Sequence, residues 1–313
     1  MMNAVTFLLG YAMALSWLAP VLFTGPISAG VHPRLSVAGW LVVVATASFA
    51  WVAALVILIV GAAHSLITRS APTFCVETLG IASAVTLPPT VATVLVVALL
   101  AVTAAVATNT TRRVIVTLYR TRRANGRHVE AVRIIGRPTE HDGVVAIPAD
   151  QPTAYCVSGG RRRAIVVTTA ALELLDPPAL AAVLAHERAH LRERHHLIIG
   201  LLSTLAAALP RLPLTRAAAR AVPALLEMCA DDAATRRHGR EPLLAGLVTL
   251  STRLRLPDGV LAATGTAVAD RVTRLLQPRR AVWWHPRSMA MVLIVIGTAA
   301  GPAFALALCT LQP

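Results

Sequence analysis

The sequence contains no lysine; all 29 of its Lys+Arg residues are arginine. That absence excludes a Ser-x-x-Lys nucleophile motif anywhere in the chain, and compositional bias accounts for the preference for arginine. Cysteine is scarce. Cys75, Cys156, Cys229 and Cys309 are scattered without C-x-x-C spacing, which excludes a disulfide framework and a cysteine-type zinc site and leaves each as an apolar packing residue. Aromatic residues make up 4% of the chain and charged residues 14%, with only 15 Asp+Glu against the arginines, a formal charge of +14. There is no internal repeat and no low-complexity linker. What is abundant is apolar: 56% of the residues are hydrophobic, and the mean hydropathy is +0.67. That is too high for an ordinary soluble domain and points to a membrane protein carrying a polar module.

A bilayer-spanning helix needs about 20 apolar residues. Residues 4–23 supply them without a charge, and 37–63, 81–107 and 288–311 supply three more candidate spans. Pro88-Pro89 predicts a kink near the start of the third, and Trp283-Trp284 precede the fourth where an interfacial aromatic belt falls. Met1-Met2-Asn3 offers no basic region, so a cleaved signal peptide is not expected. Only Arg34 and Arg69 precede residue 112, and no arginine follows Arg287. By the positive-inside bias, the run TRRVIVTLYRTRRANGR (111–127) is cytoplasmic and both termini lie outside. Juxtamembrane arginines facing anionic lipid explain this run better than a nucleic-acid patch, and no direct nucleic-acid contact is expected.

The expected organisation is therefore three spans over 1–110, a cytoplasmic domain over 111–287 and a last span over 288–313. The fold class is mainly α, with an α+β domain inserted between the third and fourth spans. Within it, 129–168 read as strand-like, and TAYCVSGGRRRAIVVTT carries a hairpin signal at Gly159-Gly160. Tyr155, Cys156 and Val157 could form an edge strand to which an extended peptide adds, or an ordinary half-buried strand. Arg161-Arg162-Arg163 reads as a solvated loop tip. Beyond Thr169 the pattern is helical, broken at Asp176-Pro177-Pro178, where Asp176 can cap and Pro177 fits the first turn. Residues 197–210 are apolar but short for a span, a core helix or re-entrant piece.

The helix after Asp176 carries AHERAHLRERHH (185–196). His186 and His190, four apart, share one helix face and can bind one ion. Glu187 sits beside the first, placed to take a proton from a water at the metal. This is the H-E-x-x-H pattern of zinc hydrolases, on the helix it requires. Two histidines and one more protein ligand leave the open position that catalytic zinc needs.

The third ligand must come from elsewhere. His196 has the spacing of the three-histidine arrangement, but Glu193 occupies its glycine position, and an unbroken helix sends His195 and His196 away from the ion. The stretch ALLEMCADDAATRR (224–237) is the better source. Glu227 stands in an apolar run where a lone carboxylate is costly, and zinc would be its partner. Asp231, four residues on, could accept the second ring N–H of a ligand histidine. The alternative is an amphipathic helix with its carboxylates in water. Tyr155, His238 or an arginine near 236–240 could stabilise an oxyanion, and Cys229 reads as packing.

HERAH followed by EMCADDAA resembles the membrane-embedded zinc peptidases of the gluzincin type: heat-shock membrane peptidases, prenyl-protein endopeptidases and β-lactam receptor peptidases of the Bla/Mec regulator type. The layout is most similar to the last. The resemblance implies zinc held by His186, His190 and Glu227, Glu187 as catalytic base, and Asp231 orienting His186. It implies a protein substrate such as a cytoplasmic transcriptional repressor, cut at the membrane in antibiotic-response signalling. A housekeeping membrane peptidase, or a non-catalytic zinc-binding signalling protein, are the alternatives, and a homo-oligomer is compatible with each. The receptors' penicillin-binding sensor, with its Ser-x-x-Lys motif, is not expected in this lysine-free sequence. Position 195, often acidic in that family, is histidine here.

Overall fold

Helix and strand boundaries follow local chemistry. In the computed structural model, which describes residues 4–24, 32–67, 89–159, 162–252, 261–277 and 286–310, the chain divides into two units. The first comprises 1–115, 205–219 and 283–313, and the second 116–204 and 220–282.

In the first unit, α1 (Ala4–Thr24) and α2 (Pro33–Ile67) are free of acidic residues and apolar all round. Small residues mark their contact: Ala12, Ala50 and Ala54 are buried with Leu8, and Phe7, Tyr11 and Trp51 pack around them. Trp51 Nε1 donates to Ser16 Oγ at 3.2 Å, so a polar pair closes the seam. The outward faces remain greasy, with Leu18, Val21, Val52 and Val60 exposed. Val5–Thr24 and Pro33–Gly61 are long and apolar enough to cross a bilayer. Helix α3 (Pro89–Ile135) starts at the second of the two prolines. Residues 81–88 of the third expected span, and Trp283-Trp284, lie outside the described residues. The last helix, α10 (Pro286–Thr310), covers most of the fourth expected span, and Tyr11 donates to the Thr298 carbonyl.

The second unit holds a four-stranded sheet in the order β1-β2-β4-β3. Its strands are β1 (Arg137–Pro138), β2 (Val144–Ile147), β3 (Ala154–Gly159) and β4 (Arg162–Thr168). β3 and β4 form the antiparallel hairpin read from Gly159-Gly160, with Gly159 opposite Arg162. β2 joins β4 in parallel, leaving β3 as an edge. β4 is apolar on both faces because both are covered. Ala164 and Val166 pack with Val129 and Val132 of α3, and Ile165 and Val167 pack with Leu180, Val183 and Leu184. This corrects the strand reading of 129–135, which is the end of α3. Val129 and Val132 stand three apart and bury one helical face on the sheet, and packing overrides the β preference of branched residues.

α4 (Thr169–Leu174) is capped by Thr168. α5 (Pro177–Arg192) begins as expected: Asp176 Oδ1 accepts from Ala179 N at 2.8 Å, and Pro177 opens the first turn. α6 (His195–Ala208), α7 (Pro213–His238), α8 (Arg240–Thr252) and α9 (Leu261–Leu276) follow. Residues of the second unit from α5, α7, α8 and α9 close a second core through Ala182, Ala234, Leu243 and Leu275. A Cβ on Gly246 of α8 would meet Val183 Cγ2 at 2.7 Å, so glycine lets α8 sit directly on α5. α5 is thereby held between the sheet and the later helices.

Candidate metal centre

Three side chains converge on one point. His186 Nε2 lies 3.1 Å from His190 Nε2. Glu227 Oε2 lies 3.3 Å from His186 Nε2, and its Oε1 lies 3.3 Å from His190 Nε2. The helix places the first two: residues four apart project one above the other, and this face of α5 is its buried one. α7 brings Glu227 against them.

The donor set and spacing fit zinc. With Zn–N and Zn–O bonds of about 2.0–2.2 Å and tetrahedral angles, donor atoms stand roughly 3.3–3.5 Å apart. His186, His190 and Glu227 are a group able to hold a metal ion, the first two buried and the third partly so. Three protein donors would leave a zinc ion one position for a reactant.

The outer ring nitrogens are also engaged. His186 Nδ1 lies 3.0 Å from Asp231 Oδ1, and Asp231 is completely buried. Arg271 of α9 donates to that carboxylate from Nε at 2.9 Å and from Nη2 at 2.6 Å, and its Nη1 lies 3.1 Å from Glu227 Oε2. Next along α7, Asp232 Oδ1 accepts from Arg274 Nη2 at 2.8 Å. Two arginines of α9 thus neutralise consecutive aspartates of α7.

These pairings set the charges of the metal-free site. Burial alone would lower the pKa of His186, but Asp231 and Glu227 override it and hold the imidazolium up to about 9. Burial dominates at His190, pushing it down to about 4, with His186 adding repulsion. Glu227 and Asp231 fall to about 2, because His186 and Arg271 outweigh the cost of burial. Glu187, half-buried, is pushed up to about 7, first by burial and then against the pull of His186. A carboxylate near neutrality is suited to taking and returning a proton. The Cys156 thiol of β3 is pushed up to about 12, by burial and then by the neighbouring Glu187 carboxylate. It therefore stays a thiol.

The sequence did not reveal His195 or Arg271. α5 is not continuous with α6. It stops at Arg192, and Arg194 adopts φ 56°, the left-handed region. That corrects the expectation of an unbroken helix. The turn brings His195 back, buried, with its Nδ1 2.9 Å from His190 Nδ1. His196 stays out of the donor group, as does buried Cys229. Arg271 lies 40 residues from Asp231, with no local signal linking them. Of the oxyanion candidates, the Tyr155 ring stacks with His128 at 5.9 Å. Arg237 and His238 line another cavity with His141, Arg188 and Arg192.

Residues 120–252, which contain the whole donor group, match the family model described as Peptidase family M48. The chain is 37% identical over 67 residues to a protease HtpX homolog of Aquifex aeolicus (strain VF5), covering 21% of this chain and 22% of that one. It is 40% identical over 70 residues to the protease HtpX homolog of Salinibacter ruber (strain DSM 13855 / M31), covering 22% and 25%. With that of Desulfatibacillum aliphaticivorans it shares 33% identity over 103 residues, covering 31% and 33%. The chain thus spans between about a fifth and a third of the length of these curated relatives. No solved structure matches it.

Proposed function

We propose that this chain is an integral-membrane zinc endopeptidase that cleaves proteins at the cytoplasmic face of the membrane, with His186, His190 and Glu227 as metal ligands and Glu187 as catalytic base. The convergence of three donors within 3.1–3.3 Å, beside a half-buried glutamate on the same helix, carries the reading. Zinc, when bound there, supplies a Lewis acid for the peptide carbonyl and the attacking water. Glu187 takes the water's proton and later delivers it to the leaving amine. Asp231 holds His186 with Nε2 toward the ion, and Arg271 holds Asp231.

Four spans, with the domain between the third and fourth and both termini outside, are our reading of the four apolar runs and of the concentration of arginine in 112–287; two of the helices, Val5–Thr24 and Pro33–Gly61, are long and apolar enough to cross a membrane. The substrate we infer is a regulatory protein such as a repressor, possessing the role suggested by the resemblance to the Bla/Mec-type antirepressor peptidases. A second reading is a housekeeping membrane peptidase for misfolded proteins, with which similarity to proteins named protease HtpX homolog is consistent. One comparison tests both: proteins that accumulate in cells carrying Glu187→Gln instead of the wild-type chain. A single regulator accumulating supports the first, a broad set of membrane-associated proteins supports the second, and no change in any protein's turnover overturns the peptidase proposal.

A further inference from the structure

His195 is 2% exposed, a low value for a histidine at a helix start, and it makes two polar contacts. Its Nδ1 lies 2.9 Å from His190 Nδ1. Its Nε2 lies 3.4 Å from Glu193 Oε2. The rings of His190 and His195 meet edge to face, at 85° and 4.8 Å between centroids. Reaching this position requires Arg194 to adopt the left-handed conformation, uncommon for a residue with a side chain.

Only one arrangement of ring protons satisfies all these contacts and leaves His190 able to bind a metal. Two facing Nδ1 atoms share one proton, so one ring donates and the other accepts. If His195 donated, His190 would carry its own proton on Nε2, the atom that faces Glu227 and His186, and could not ligate. If His190 donates, its Nε2 is a bare donor atom, and His195 must carry its proton on Nε2. That is the side on which Glu193 offers an acceptor. The carboxylate therefore selects the form of His195, and His195 selects the form of His190.

We propose that His195 is a positioning residue that, together with Glu193, fixes His190 in the ring form presenting Nε2 to the metal. The proposal rests on the reading of His186, His190 and Glu227 as ligands. It makes the site two-sided: a carboxylate held by arginine stands behind His186, and an imidazole held by glutamate stands behind His190. Partners of this kind behind a ligand change metal affinity by roughly 10- to 100-fold.

The experiment uses the full chain in detergent and measures zinc affinity by competition with a chelator. His195→Leu, which keeps bulk but has no acceptor, is expected to weaken zinc binding roughly 10- to 100-fold. His195→Asn, which restores an acceptor oxygen, is expected to recover most of that loss, a rescue that packing alone would not produce. Unchanged affinity in His195→Leu, with zinc lost in His190→Ala, overturns the relay and leaves the metal reading standing. No zinc uptake by the wild-type chain, or unchanged uptake by His190→Ala, overturns the metal reading and the relay with it. Should His195→Leu fail to fold, nitrogen NMR of the zinc-loaded wild-type chain decides. Protons on His190 Nδ1 and His195 Nε2 support the relay, and a proton on His195 Nδ1 overturns it.

Discussion

Arg271 holds Asp231 through two nitrogens, and the carboxylate oxygen it approaches most closely, Oδ1 at 2.6 Å, is also the one 3.0 Å from His186 Nδ1. A buried carboxylate without a compensating cation is costly, and breaking such a pair from one side costs about 3–5 kcal/mol. Arg271→Met is therefore expected to lower the melting temperature of the purified chain markedly. Arg271→Lys is expected to recover only part of it, because an ammonium cannot reproduce the two-nitrogen grip. Thermal unfolding of the three proteins in one detergent checks this.

How much of this arrangement the sequence carries depends on how local its cause is. His186, Glu187 and His190 are set by helical spacing alone, and the start of their helix by Asp176 and Pro177. Glu227 was legible as a carboxylate stranded in an apolar run. Arg271 was not, because its pairing with Asp231 exists only once α9 has packed against α7. His195 was hidden by a different cause. The helix ends in RERHH, which contains no glycine or proline to mark the stop, and Arg194 takes up the left-handed turn at a cost that surrounding packing must cover. The valines and isoleucines before Gly136 suggested a strand where the sheet instead receives a helix end. The mean hydropathy pointed correctly to apolar helices, two of which are long enough to span a bilayer.

Arg194 should tolerate glycine and reject β-branched residues. Arg194→Gly is expected to be neutral or slightly stabilising. Arg194→Val is expected to cost about 1–3 kcal/mol, since a branched side chain is strained in the left-handed region. Melting temperatures of both variants, alongside zinc content, provide the measurement.

Glu187 and Glu227 should separate binding from chemistry. Glu187→Gln is expected to retain zinc and lose about 10²- to 10⁴-fold in cleavage rate, the usual contribution of a positioned proton carrier. Glu227→Ala is expected to lose zinc by more than roughly 100-fold, beyond what loss of an outer partner produces. Metal analysis and a cleavage assay on the same preparations distinguish the two.

Metal uptake should depend on pH through His186. In the metal-free chain its pKa is held up to about 9 from an ordinary 6.5, so it is an imidazolium at neutrality. A raised pKa contributes stability that is fully present below 6.5 and is lost as pH rises through 9. Zinc must displace that proton, so affinity rises over the same window with release of one proton. Titration calorimetry in buffers of different ionisation enthalpy is expected to show the release. The melting temperature of the metal-free chain is expected to fall over the same range while the zinc-loaded chain changes less.

Acid should act through Asp231. Its pKa lies near 2 instead of the ordinary 3.8, so the stability it contributes is present above 3.8 and disappears as pH falls through 2. Asp231→Asn should flatten the acid limb of the stability curve between those values, as read by circular dichroism.

β3 ends the sheet, and among the described residues its Tyr155–Cys156–Val157 stretch pairs only with β4. A target that completes the ladder on its other side has to arrive as stretched ribbon, since a helix or compact fold offers no free row of amides and carbonyls. Recognition of that kind reads main chain before side chain. The speed at which any given victim is cut would then track how often a piece of it melts loose, more than the identity of the bond being broken.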